Sequence, residues 1–186
     1  MKRRKLIVTL TLSALFCTMI CIGSFIRIPM PNMMPVTLQT FFVLLTGLVL
    51  PLKASTLAIL TYIALGLIGL PIFSGGGGLG YVLMPNFGFI IGFLIATVII
   101  SGVTQKLNNR NLWQHIVISL IGIAVIYIAG VLYFAFITNV HNNNDYPWVW
   151  FIQTAFLPFL PKEIICIILA SLSAYKIRPY ITKIPQ

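Results

Sequence analysis

The chain has 186 residues, of which 59% are hydrophobic and only 8% charged, and a mean hydropathy of +1.03. So few charged side chains cannot cover a water-facing globule, which excludes a soluble domain and requires lipid around most of the surface. The net charge of +10 does not signal nucleic acid, because the basic residues sit between apolar runs and are not interleaved with aromatics on a polar face.

Met1-Lys2-Arg3-Arg4-Lys5 followed by the apolar run Leu6 to Ile26 opens like a signal peptide. The run is too long for one, leads into further membrane sequence and has no small-residue cleavage site, so it is read as a retained helix 1 at 6–26. Runs bounded by Pro, Gly or charge predict helix 2 at 36–52 and helix 3 at 54–70, punctuated by Pro35, Pro51 and Pro71. A glycine-rich loop precedes helix 4 at 86–104, and helix 5 follows at 112–138. The last apolar stretch, Trp148 to Tyr175, is interrupted by Pro158 and Pro161. Proline removes a backbone donor and clashes with the preceding turn, which divides the stretch into a short outer segment and a helix 6 starting near Pro161. The expected fold is an all-α integral membrane protein with six transmembrane helices in a single domain, residues 1–186.

Lys and Arg collect in short cytoplasmic loops. With six spans, one side receives Lys2, Arg3, Arg4, Lys5, Lys53, Lys106, Arg110, Lys176, Arg178 and Lys183. The opposite loops hold only Arg27, and Lys162 lies inside the last apolar stretch. Both termini are therefore expected in the cytoplasm, with the 27-to-35 loop, the 71-to-85 loop and the loop from Asn139 to Pro147 outside. Cys17, Cys21 and Cys166 lie in apolar runs, the usual setting of a small buried hydrophobe, and suggest neither a disulfide nor a metal site.

The outside loop from Leu70 to Tyr81 contains Gly75, Gly76, Gly77 and Gly78. It reads equally as a lid over a ligand and as a flexible connection. It is not a phosphate loop, which needs Gly-Lys-Ser/Thr at a helix start. The two acidic residues are Asp145, in an asparagine-rich loop, and Glu163, at the start of helix 6 among apolar neighbours. A carboxyl at membrane depth costs several kcal/mol unless paired or facing a polar cavity, so Glu163 marks a functional site. The competing reading is a structural pair with Lys162. Successive helical residues point about 100° apart, which disfavours that pair; Lys162 could instead snorkel outward while Glu163 turns inward.

By helix rise, Gln39, Asn86 and Glu163 share one level in the outer half. The two amides supply donors and acceptors, and Phe73, Tyr62 and Tyr81 could supply walls, which together describe a small-molecule pocket open outward. His115 and His141 have no metal-ligand spacing and are read as solvated loop residues. Hydrolase signatures are absent from the sequence.

Pro35-Val36-Thr37-Leu38-Gln39-Thr40, followed by Gly47-Leu48-Val49-Leu50, resembles the BioY family of biotin-specific substrate-binding subunits of energy-coupling factor (ECF) transporters. The run from Tyr62 to Phe73, with the glycine loop after it, Met84-Pro85-Asn86-Phe87-Gly88 and Pro158-Phe159-Leu160-Pro161-Lys162-Glu163 resemble further family motifs in the same order. The resemblance spans nearly the whole chain. It implies a six-helix substrate-binding domain in the cell membrane that captures biotin at the outer face and uses no cofactor. It also implies association with a transmembrane coupling (T) subunit and two cytoplasmic ATPase subunits. Gln39, Asn86 and Glu163 fall on motif positions, with Asn86 and Glu163 expected to bond the ureido ring and Tyr62 and Phe73 to line the pocket beside Tyr81 and Lys162.

Two departures stand out. The family's last motif usually reads Gly-Asp-x-x-Lys, whereas this chain has Lys162, Glu163 and Cys166 there. Lys162 or Arg27 could supply the missing charge for the biotin carboxylate. Coupling contacts on helix 1 commonly use small residues four apart, where this chain has Ala14 and Thr18. The competing functions are a membrane enzyme on a hydrophobic substrate and a channel or stand-alone carrier. An enzyme would need a second catalytic group near Glu163, and a channel would need a polar stripe through several helices. The chain is expected not to be an enzyme.

Overall fold

The computed structural model describes residues 2–30, 35–107, 111–142 and 144–181. Arg110 and Lys183 from the charge count lie outside the described residues, as do residues 31–34 and Asn143 of the expected outer loops.

The described chain is almost wholly helical, as its apolar runs require, since a backbone in lipid must satisfy its own hydrogen bonds. Helix α1 spans Lys2–Phe25. A two-residue antiparallel pair, β1 (Arg27–Ile28) and β2 (Val36–Thr37), precedes α2 (Gln39–Val49) and α3 (Leu52–Ile68). A 3₁₀ turn at Leu79–Leu83 leads to α4 (Phe87–Lys106), and α5 (Leu112–Ala135) continues as a π-helical turn, Phe136–His141. Then come α6 (Trp148–Ala155), a 3₁₀ turn at Leu157–Phe159, and α7 (Leu160–Ile181).

Among the described residues, four helical stretches are long and apolar enough to cross a membrane: Arg3–Phe25, Phe87–Lys106, Leu112–His141 and Trp148–Ile181; the apolar helices α2 and α3 are shorter. The break in the last stretch falls at Phe156, and Pro161 is the second residue of α7 rather than its first. The first turn tolerates proline at either place, because its N–H groups have no intrahelical acceptor. Helix 2 was expected from residue 36, but Val36 and Thr37 pair with β1, so α2 starts three residues later.

Helix α2 is the centre of the packing, in contact with α1, α4 and α7, and its Val43, Leu44 and Leu48 are fully enclosed. The α4–α5 interface is built on small residues. A Cβ at Gly88 would strike the Tyr133 side chain, one at Gly130 the Phe89 ring, and one at Gly92 would lie 2.9 Å from the Ile126 backbone. Lipid is as apolar as a side chain, so helices associate in it through such close approach and through buried polar contacts. The Ser119 and Ser171 hydroxyls supply one such contact, 3.2 Å apart between α5 and α7. Gly92→Ala is therefore expected to cost about 1–3 kcal/mol. Gly102→Ala, where a Cβ meets nothing within 4 Å, should leave stability unchanged or slightly raised. Thermal unfolding of the two variants in detergent makes the comparison.

His115 corrects its sequence reading. It is buried in the first turn of α5, where its Nδ1 bonds the Asn111 carbonyl at 3.0 Å and its ring meets Tyr175 of α7 edge-on. The helix starts three residues ahead of it, so the ring faces the bundle instead of a loop.

Candidate ligand-binding site

Helices α2, α4 and α7 all begin at one place, and a cavity opens between their first turns. Thr37 lines it from β2, Gln39 and Thr40 from the start of α2, Asn86 from the start of α4, and Lys162 and Glu163 from the first turn of α7. Phe89, Phe93, Ile126 and Phe159 make apolar walls. Three helix N-termini turn their positive dipole ends toward this region, which favours acceptors and negative charge there. Glu163 sits in the acid-favouring first turn of its own helix, which offsets part of the cost of burying it.

Glu163 is 2% exposed. Its Oε1 accepts from the Tyr127 hydroxyl at 2.8 Å, from Thr40 Oγ1 at 3.4 Å and from Lys162 Nζ at 2.5 Å. Its Oε2 is buried and meets no donor among the described residues. The Lys162 ammonium also donates to Thr40 Oγ1 at 3.1 Å and to the Thr37 carbonyl at 3.3 Å. The pair between adjacent residues, disfavoured by their 100° separation, is thus formed. The four-carbon lysine stem is long enough to fold its ammonium back over the neighbouring carboxylate, and Thr37 and Thr40 hold it there.

Of the seven residues expected at the site, Gln39, Tyr81, Asn86, Lys162 and Glu163 line the cavity. Tyr62 and Phe73 do not. They form the layer behind it: Gln39 Nε2 donates to the Tyr62 hydroxyl at 2.6 Å, and that hydroxyl donates to the Ile72 carbonyl at 3.2 Å. The Phe73 ring lies between those of Tyr62 and Tyr81, at centroid distances of 5.3 and 4.7 Å. Phe73 is displaced from the cavity because Gly66 leaves a notch in α3 that its ring fills.

The glycine loop is a built turn. Gly69 caps α3 in the left-handed conformation (φ 119°), with Leu70 N–H bonded to the Leu65 carbonyl, a Schellman ending followed by the expected proline at Pro71. Phe73 and Gly76 exchange backbone bonds, and Gly78 N–H reaches the Gly66 carbonyl at 2.7 Å. Gly76 and Gly78 hold φ of 129° and 98°, which other residues rarely adopt. Ser24 ties the Ile72 carbonyl at 2.6 Å, and the exposed Arg27 donates to the carbonyl of Ser74, a lining residue.

Sequence reasoning missed Tyr127 and Thr40. Tyr127 is flanked by Ile126 and Ile128 within a long apolar span, and a phenol hydroxyl at that depth needs a partner. Thr40 follows Gln39 and faces the same first turn of α2.

The family model described as "BioY family" matches residues 1–183. The chain belongs to the BioY family. Its relatives include a probable biotin transporter BioY of Lysinibacillus sphaericus, 34% identical over 92% of this chain and 86% of the relative. The biotin transporter BioY of Thermotoga maritima is 32% identical over 89% of this chain and 93% of the relative. Among solved structures, the S-component for biotin from an ECF-type ABC transporter superposes with a TM-score of 0.85 at 28% identity, covering 96% of this BioY chain and 95% of the other.

Proposed function

We infer that this chain is the biotin-binding S-component of an ECF-type transporter: a multi-pass membrane protein and transporter subunit, not an enzyme. The observation that carries the reading is the buried Glu163 carboxylate, with one oxygen held by three protein donors and the other without a donor among the described residues, in a cavity that Asn86 also lines. A cyclic urea matches that arrangement. Its N–H groups are donors for Glu163 Oε2 and the Gln39 amide oxygen, and its carbonyl is an acceptor for the Asn86 amide. Phe89, Phe93, Phe159 and Ile126 take the thiophane ring and the valeryl chain.

The whole chain acts as one binding domain that crosses the plasma membrane six times, with both termini in the cytoplasm and the cavity open outward. The shortness of α2 supports this topology. Eleven helical residues reach about 16 Å, so α2 can start at the cavity floor, and the non-helical segment before it lines the cavity. Irregular backbone at membrane depth is tolerated only in such a position. Trp113 near one end of the bundle, and Tyr146, Trp148 and Trp150 near the other, suit two interfacial aromatic belts.

The transport step draws on a transmembrane coupling subunit and two cytoplasmic ATPase subunits, since no nucleotide-binding motif is present in this sequence. Ala14 and Thr18 lie on the exposed face of α1, with the Thr18 hydroxyl folded onto the Ala14 carbonyl at 2.9 Å. That face can accept a partner helix at close range.

The test is equilibrium binding of biotin to the purified, detergent-solubilised protein by tryptophan fluorescence or calorimetry. Saturable binding is expected, weakened about tenfold or more in Asn86→Ala by loss of a buried hydrogen bond. A monodisperse wild-type protein that does not bind biotin would remove biotin as the ligand.

A further inference from the structure

Lys162 stands where it could receive the ligand's carboxylate, and the family resemblance leaves that role open because Cys166 occupies the usual lysine position. The geometry argues otherwise. An ammonium has three N–H donors. In this structure all three are engaged: with Glu163 Oε1 at 2.5 Å, with Thr40 Oγ1 at 3.1 Å and with the Thr37 carbonyl at 3.3 Å. A ligand carboxylate on the same nitrogen would have to displace one of these. It would also approach the Glu163 carboxylate, and two like charges in a poorly solvated site repel strongly.

Thr40 closes the arrangement, accepting from Lys162 and donating to Glu163. With Tyr127 on the same oxygen, the result is a clamp on Oε1 that leaves Oε2 as the oxygen for a ligand donor. We propose that Lys162 is a positioning residue that holds and charge-balances Glu163 and does not receive the ligand's carboxylate, so that this end of the cavity selects ligands by the N–H groups they present. The proposal rests on the biotin reading.

A chemical cycle tests it. Binding of biotin and of biotin methyl ester is measured for the wild type and for Lys162→Met, each checked for monodispersity. If Lys162 acts through Glu163, the substitution weakens acid and ester by the same factor, about 10- to 100-fold. A loss confined to the acid would show that Lys162 holds the carboxylate and would overturn the proposal; no loss for either ligand would overturn it equally. A general structural effect of the substitution is separated by the Glu163→Gln background. There, adding Lys162→Met should cost neither ligand further, because the charge it balances is gone. The same double variant carries the comparison if Lys162→Met alone does not fold, and a further loss of acid over ester in it overturns the proposal. Wild-type protein that binds neither compound would defeat the biotin reading itself, a result distinct from all of these.

Discussion

Replacing Glu163 by glutamine is expected to lower biotin affinity about 100-fold, the scale of a lost hydrogen bond to a charged acceptor in a dry site. Glutamine keeps the shape and one carbonyl acceptor, so the loss reports charge and donor–acceptor matching and not a collapsed wall. The substitution also leaves the Lys162 ammonium, 20% exposed, beside a neutral partner. Breaking a buried pair from one side is costly, by about 3 kcal/mol where burial is complete. Solvent access at Lys162 reduces that figure, so a fall in the unfolding midpoint is expected together with the loss of binding. Titration calorimetry and thermal unfolding on the same preparation separate the two effects. Removing both charges, in Lys162→Met/Glu163→Gln, should recover stability without recovering affinity. If the glutamine variant bound biotin as the wild type does, Glu163 would not be the acceptor.

Gly66→Val should disable the site from behind. The space where a Gly66 side chain would begin is filled by the Phe73 ring, and the Gly66 carbonyl receives the N–H groups of Gly69 and Gly78. A branched side chain there expels Phe73 from between Tyr62 and Tyr81, and the loop that positions Ser74 and Tyr81 at the cavity moves with it. The expected cost is about 3 kcal/mol, comparable to losing the burial of an aromatic ring. Biotin affinity should fall at least about tenfold, because a displaced wall forfeits its contacts. The double variant Gly66→Ala/Phe73→Leu trims the ring that collides with the new methyl group and should recover part of both losses. A Gly66→Val protein with wild-type melting and binding would show that the Phe73 notch does not support the site.

Most of the helix layout was legible from the amino-acid sequence. Apolar run length against bilayer thickness, with proline and glycine as punctuation, located α1, α3, α4 and α5 to within a few residues, and Pro158 marked the break ahead of α7. These are local constraints: a backbone in lipid has to be helical wherever the chain stays apolar. Gln39, Asn86 and Glu163 were legible for the same reason, since a polar side chain in such a run stands out against its neighbours.

Which face of each helix turns inward was not legible. A helix in water carries a polar stripe that reveals its buried side, but helices bordered by lipid on one side and by one another on the other are apolar all round. Sequence periodicity therefore could not show that Tyr127 points at Glu163, or that Tyr62 and Phe73 stand behind Gln39. The Lys162–Glu163 pair escaped as well, because the directions of two Cβ atoms do not determine where a flexible ammonium comes to rest once Thr37 of β2 and Thr40 of α2 are beside it. By itself the sequence determined that this chain is a helical membrane protein with a few polar groups at one level. Only tertiary packing decided which of those groups meet, because hydrogen bonds between helices depend on the rotation of each helix about its axis, and a uniformly apolar surface leaves that rotation undetermined until the helices pack.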